Sequence, residues 1–80
     1  MKIALKLPRL SSNMTEGLIV DWYKKPGEIF TEGAPLYAVE TEKATADVEA
    51  PCAGVLLEIL LPMGQNAEVG DLVCRIEKLE

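Results

Sequence analysis

The sequence predicts a small all-β domain, a sandwich or flattened barrel built from two similar halves. Three observations lead there. Short runs alternate apolar with polar residues, turn-forming residues punctuate them, and no stretch keeps a helical period beyond one turn. The third is an internal repeat. Gly17, Gly27 and Gly33 recur 37 residues later as Gly54, Gly64 and Gly70. The echo extends to Gly17-Leu18-Ile19-Val20-Asp21 against Gly54-Val55-Leu56-Leu57-Glu58, and to Leu36, Val39 and Glu40 against Val73, Ile76 and Glu77. Two copies cannot make a solenoid, which needs at least about three. They can pack on each other about a pseudo-two-fold axis. Each glycine is expected to mark a tight turn or a positive φ.

Each element has its own justification. Ile3, Leu5 and Leu7 alternate with Lys2, Ala4 and Lys6 until Pro8 ends the run. Leu18 to Tyr23 is β-branched and aromatic, and Lys25-Pro26-Gly27 stops it. A short piece lies at Glu28 to Phe30. Leu36 to Thr41 and Ala44 to Glu49 form a pair around one turn; in the second, Ala44, Ala46 and Val48 face one way and Thr45, Asp47 and Glu49 the other. Val55 to Leu61, Asn66 to Glu68 and Leu72 to Leu79 complete the set. Trp22 and Phe30 are core or semi-core candidates, since large aromatics carry much of a small domain's burial.

Eighty residues make one domain, and 49% apolar content supports a folded globule over disorder. At about 0.05–0.15 kcal/mol per residue the net stability is roughly 4–12 kcal/mol. A net charge of -5 argues against nucleic-acid binding, which needs clustered Lys and Arg. It suits docking on basic partner surfaces and also simple solubility. No apolar run is long enough for a membrane helix: the longest, Val55 to Leu61, is interrupted by Glu58. Cys52 and Cys74 form no Cys-x-x-Cys or Cys/His cluster, histidine is absent, and no metal site is expected. The two thiols read as small hydrophobes in a reducing compartment.

Lys43 is the only basic residue between Lys25 and Arg75, among nine carboxylates from Glu28 to Asp71. Thr41-Glu42-Lys43-Ala44 fits a four-residue type I β-turn, because neither central residue needs φ > 0. An amine exposed at a hairpin tip is wrong for a Schiff base or a general base, which need desolvation. It suits a lysine that another enzyme acylates; it also suits an ordinary solvated charge. Glu40, Glu42, Asp47 and Glu49 could form a metal site, but alternation spreads them over both faces of the hairpin; they read instead as an acidic docking surface or as simple solvation. An enzyme using paired carboxylates lacks a histidine, a metal cluster and a pocket-sized chain. An unmodified structural β-domain is the other reading from a different class.

The chain resembles, from end to end, the lipoyl domains of 2-oxo acid dehydrogenase complexes. The matching residues are Pro8-x-Leu10, Met14-Thr15-Glu16-Gly17, Trp22, Lys24-Lys25-x-Gly27, Glu32-Gly33, Val39-Glu40-Thr41-Glu42-Lys43-Ala44, Glu49-Ala50-Pro51, Ala53-Gly54 and Val69-Gly70. The resemblance implies a flattened barrel of two four-stranded antiparallel sheets with quasi-two-fold symmetry. It implies lipoic acid in amide linkage on Lys43, flanked by the motif residues Glu42 and Ala44. Glu42 departs from the family's usual aspartate; it keeps the charge and adds a methylene, which puts fine recognition by the decarboxylase in question. Met14-Thr15-Glu16-Gly17 and Thr45 look more like the pyruvate or acetoin type of complex.

The resemblance further implies a carrier that is not an enzyme on its own. Lys43 would be loaded by a lipoylating enzyme. A thiamin-diphosphate 2-oxo acid decarboxylase would reductively acylate the arm, an acyltransferase domain would pass the acyl group to coenzyme A, and a flavin-dependent dihydrolipoamide dehydrogenase would reoxidise it. Tethering raises effective concentration to about millimolar for short flexible linkers. The Leu10 to Thr15 loop shows no packing pattern, and the resemblance gives Ser11, Ser12 and Asn13 a part in selecting the decarboxylase. Glu40, Thr41 and Glu49 complete the candidates for partner recognition. The chain is expected to be a monomeric single domain over residues 1–80, the N-terminal module of a longer acyltransferase. Its compartment would be the bacterial or archaeal cytoplasm or the mitochondrial matrix. A biotin carboxyl carrier shares the fold, but its lysine lies between methionines, whereas Lys43 lies between Glu42 and Ala44. A glycine-cleavage-type lipoyl carrier would need a longer chain.

Overall fold

The first alternating run becomes strand β1 (Lys2–Lys6) in a computed structural model that describes residues 1–42 and 44–79. β2 (Glu16–Trp22), β3 (Ile29–Phe30), β4 (Pro35–Glu40) and β5 (Thr45–Glu49) follow, then β6 (Gly54–Ile59), β7 (Asn66–Glu68) and β8 (Leu72–Lys78). The strands form two four-stranded antiparallel sheets, in the orders β1-β8-β6-β3 and β5-β4-β2-β7. Exchanging β1 with β5, β2 with β6, β3 with β7 and β4 with β8 turns one order into the other. The glycine repeat is therefore a structural two-fold.

The symmetry reaches individual hydrogen bonds. Ile19 pairs with Val39 and Leu56 with Ile76, and both ladders slip by one residue at the next position, at Val20 and Leu57. Gly64 donates its N–H to the Ile19 carbonyl at 2.7 Å, and Gly27 donates to Leu56 at 2.7 Å. A bulge in a two-fold pair of strands bends both sheets alike, which suits a flattened barrel; the domain measures 35 × 22 × 17 Å.

The glycines divide into two kinds. Gly27, Gly33, Gly64 and Gly70 have φ between 86° and 97°, as expected of turn residues. Gly17 and Gly54 correct that expectation. Neither has a positive φ; both lie in strands where a Cβ has no room.

The core repeats in position but not in size. Leu36, Tyr37 and Val39 of β4 answer Val73, Cys74 and Ile76 of β8, with Ile19 and Leu56 between them. Tyr37 is matched by the small Cys74, Phe30 by Ala67, and Leu7 by Ala50. Large residues in one half thus fill space that small ones leave in the other, which is how close packing survives an approximate symmetry. Trp22 is half-buried, its ring 4.7 Å from Tyr37, and its indole N–H reaches the Leu61 carbonyl at 2.9 Å. Both cysteines are free thiols; Cys74 is buried and Cys52 half-buried.

Two stability predictions arise from this core. The Tyr37 hydroxyl is buried and has no hydrogen-bond partner among the described residues. A buried donor left unpaired costs about 1–3 kcal/mol. Tyr37→Phe should therefore raise the unfolding free energy by about 1 kcal/mol in urea denaturation; a loss of stability would show that the hydroxyl is satisfied. Burial also pushes the Cys74 thiol up to about 12 and raises the Tyr37 phenol. A group whose folded pKa is raised contributes its full stability below its unfolded pKa and loses it as pH rises. For Cys74 that window runs from about 8.5–9 up to 12. We expect a stability loss of about 1–2 kcal/mol from this thiol by pH 10, absent in Cys74→Val; equal pH profiles for the two proteins would refute the assignment.

Candidate functional site: the hairpin end of one sheet

The β4–β5 hairpin is pinned by the register Val39 to Ala46 and Glu40 to Thr45. Ala46 and Val48 turn inward, and Thr45, Asp47 and Glu49 outward, as the alternation requires. Thr41 closes the loop with two bonds to the Ala44 carbonyl, from its N–H at 2.9 Å and its hydroxyl at 3.0 Å. Glu42 and Ala44 are exposed. No described non-glycine residue has a positive φ, so Glu42 does not adopt the mirror-image hairpin turns, which need φ > 0 at that position. Lys43, the attachment candidate, lies outside the described residues.

The two-fold gives this hairpin a counterpart. The Thr41 bond to Ala44 corresponds to the bond from Lys78 N–H to the Met1 carbonyl at 2.8 Å. What is a closed hairpin in one half is the meeting of the first and last strands in the other.

A concavity of about 200 Å³ lies beside the hairpin. Glu40, Thr41 and Glu42 form one wall, and Ser11 and Asn13 another. Five of the sequence-derived candidates therefore share one cleft. Ser12 is exposed on the same loop without lining it. Glu49 is elsewhere: it pairs with Pro35 at the far end of β5 and lines a separate recess of about 160 Å³ with Lys6, between the β1 and β5 edges. That recess lies on the two-fold, lined by the equivalent pairs Leu5 and Val48, Lys6 and Glu49, and Pro8 and Pro51.

The Ser11 to Asn13 loop has an anchor that its sequence does not announce. Met14 is 4% exposed, belongs to the core, and accepts the Leu10 N–H on its sulfur at 3.2 Å. Met14 N–H bonds back to the Ser11 carbonyl at 3.1 Å, and Thr15 receives the Val69 N–H at 3.0 Å. The loop is thus tied down on both sides of its polar tip, which corrects the expectation of a loop without packing. Asn66, Leu18 and Glu16 complete the cleft. Asn66 had no local signal; it arrives because β7 and β4 flank β2, so that Leu18 pairs with Asn66 on one side and Glu40 on the other. Among the described residues no three His, Cys, Asp or Glu side chains converge as metal ligands.

A β-sandwich with internal two-fold symmetry, a β4–β5 hairpin held in register and a polar cleft at its side has the build of a carrier domain. The chain belongs to the biotin/lipoyl attachment family: the family profile, described as "Biotin-requiring enzyme", matches residues 3–76. Within that family it is a lipoyl domain. It is 29% identical, with a TM-score of 0.76, to the solution structure of the lipoyl domain of the 2-oxoglutarate dehydrogenase complex from Azotobacter vinelandii, covering 95% of this chain and 96% of that one. It is also similar to the dihydrolipoyllysine-residue acetyltransferase component of the pyruvate dehydrogenase complex of Rickettsia bellii, 43% identical over 91% of this chain and 18% of the relative. The corresponding succinyltransferase component of the 2-oxoglutarate dehydrogenase complex of Rickettsia conorii is 36% identical over 98% of this chain and 20% of the relative. The chain thus spans about a fifth of the length of these curated relatives. A long-chain acyl-CoA carboxylase shares the fold at a TM-score of 0.81 and 23% identity.

Proposed function

We propose that the chain is a lipoyl carrier whose attachment point is Lys43. The observation that carries this is the hairpin: its strands are locked in register, its mouth is closed by Thr41 and Ala44, and Glu42 and Ala44 stand in solvent on either side of the lysine. These residues fit lipoic acid, because an amide-linked arm needs an open, rigidly held attachment point and no enclosing pocket. The group would supply a disulfide that accepts an acyl unit together with two electrons. This chain's residues do the rest: Thr41 and Ala44 hold the turn, and Ser11, Asn13, Glu40, Thr41 and Glu42 offer a surface to partners.

The partners that follow are a lipoylating enzyme, a thiamin-diphosphate 2-oxo acid decarboxylase, an acyltransferase catalytic domain and dihydrolipoamide dehydrogenase. The chain would then be one module of a longer acyltransferase. The complex is read as the pyruvate type: two acetyltransferase relatives are 43% and 40% identical, against 34–37% for the succinyltransferases. Similar proteins come from bacteria and from a mitochondrial complex, which supports reading the compartment as the bacterial cytoplasm or the mitochondrial matrix.

The test is intact mass after co-expression with a lipoylating enzyme and, separately, with a biotinylating enzyme. One lipoyl group and no biotin is the expected outcome. Biotin in place of the lipoyl group, or neither, overturns the proposal.

A further inference from the structure

The internal two-fold supplies a control that an ordinary domain lacks. Leu7 and Ala50 are equivalent: Leu7 exchanges backbone bonds with Gly70 and Asp71, and Ala50 with Gly33 and Ala34. Their offset is 43 residues, against 37 for Gly17 and Gly54, a difference of six. The second half passes from Ala50 to Gly54 through Pro51, Cys52 and Ala53 and still completes its sheet. The first half spends six more residues on the same crossing, and these carry Ser11 and Asn13 to the cleft beside the hairpin. The fold closes without such an insertion, so it has another use.

The same comparison isolates Asn66. Across the hairpin end of its sheet, Asn66, Leu18, Glu40 and Thr45 lie in one row. The equivalent row in the other sheet is Ile29, Val55, Glu77 and Lys2. An amide therefore stands by the hairpin where the other half has an exposed isoleucine. Glu16, Glu40 and Glu42 give the cleft three carboxylates, and no basic residue lines it among the described residues. Its roughly 200 Å³ is the volume of about six or seven waters, room for one long side chain.

We propose that this cleft receives a cationic side chain of the decarboxylase that acylates the domain, and that Asn66, across the cleft from the hairpin wall, is a specificity-determining residue of that contact. The proposal rests on the carrier function above. A guanidinium or ammonium group would find the Glu40 and Glu42 carboxylates on the hairpin wall, the Glu16 carboxylate on β2 and the Asn66 amide oxygen on β7, with Glu16, Glu40 and Asn66 fixed by paired strands rather than by a free loop.

The experiment uses the lipoylated chain with the decarboxylase components of a pyruvate and of a 2-oxoglutarate dehydrogenase complex, taking whichever acylates the unaltered domain faster. Asn66→Ala should raise the KM for the domain about three- to tenfold with kcat within about twofold, the effect of losing a hydrogen bond at an interface. Asn66→Arg, which places a like charge in the cleft, should raise it further, and added salt should narrow the gap between Arg and Ala. Lipoylation and the melting temperature should stay unchanged, since Asn66 is exposed. KM values within about twofold of the unaltered domain for both variants overturn the inference and leave the carrier function standing. No lipoylation of the unaltered domain, or acylation by neither decarboxylase, overturns the carrier function and this inference with it.

Discussion

Replacing Lys43 by arginine should abolish the mass gain that lipoylation produces while leaving the fold intact. Arginine keeps the positive charge and much of the length. Its guanidinium stays protonated and does not take the place of an amine in amide formation. Thr41 and Ala44 and the β4–β5 register close the hairpin. Stability should therefore change by no more than about 0.5 kcal/mol, as for an ordinary surface substitution. Exchanging the neighbours, with Glu42→Lys and Lys43→Glu together, tests position rather than chemistry. The composition is the same, but a one-residue shift redirects the side chain. We expect no modification in either variant by intact mass, with melting curves like that of the unaltered domain. Persistent modification in Lys43→Arg would assign the attachment to another lysine.

Gly54→Ala should be the most damaging single methyl addition in the chain. A Cβ there would stand 2.6 Å from the Glu77 carbonyl oxygen and 3.1 Å from Cζ of Phe30. The first is backbone of the neighbouring strand, and the second belongs to a ring only 2% exposed. Neither can yield without opening the β6–β8 ladder or the core, and such overpacking costs about 1–3 kcal/mol or more. Against a total of roughly 4–12 kcal/mol, and at about 4–8 °C per kcal/mol for a domain of this size, Tm should fall on the order of 10 °C. The opposite sign is a real alternative: where an alanine fits, Gly→Ala stabilises by about 0.4–1 kcal/mol through the unfolded chain, and Gly54 has no positive φ to forbid it. An unchanged or raised Tm would show that the strands can part at no cost. At Gly17 the crowding atom is Cγ1 of Val39, a side chain in place of a backbone oxygen, so Gly17→Ala should cost less.

Much of this protein was legible in its sequence because the signals are local or periodic. Alternation in Lys2 to Lys6 and Thr45 to Glu49 reports a strand with one face turned inward, since successive side chains point to opposite sides. The turn glycines report themselves because only glycine reaches φ near 90° without strain. The recurrence at 37 residues reports the two-fold because equivalent backbone positions impose equivalent demands.

What the sequence determined by itself was therefore the strands, the two similar halves, and a hairpin carrying Lys43 between Glu42 and Ala44. Tertiary structure decided which distant residues meet. It showed that Gly17 and Gly54 are kept small by a neighbouring strand, that Met14 anchors the loop of Ser11 and Asn13, and that Glu49 belongs to another recess. It brought Asn66 beside Glu40 through their shared neighbour Leu18. Alternation and turn chemistry depend on residues adjacent in the chain, whereas the composition of a cleft depends on sheet order and register, which many weak contacts set together.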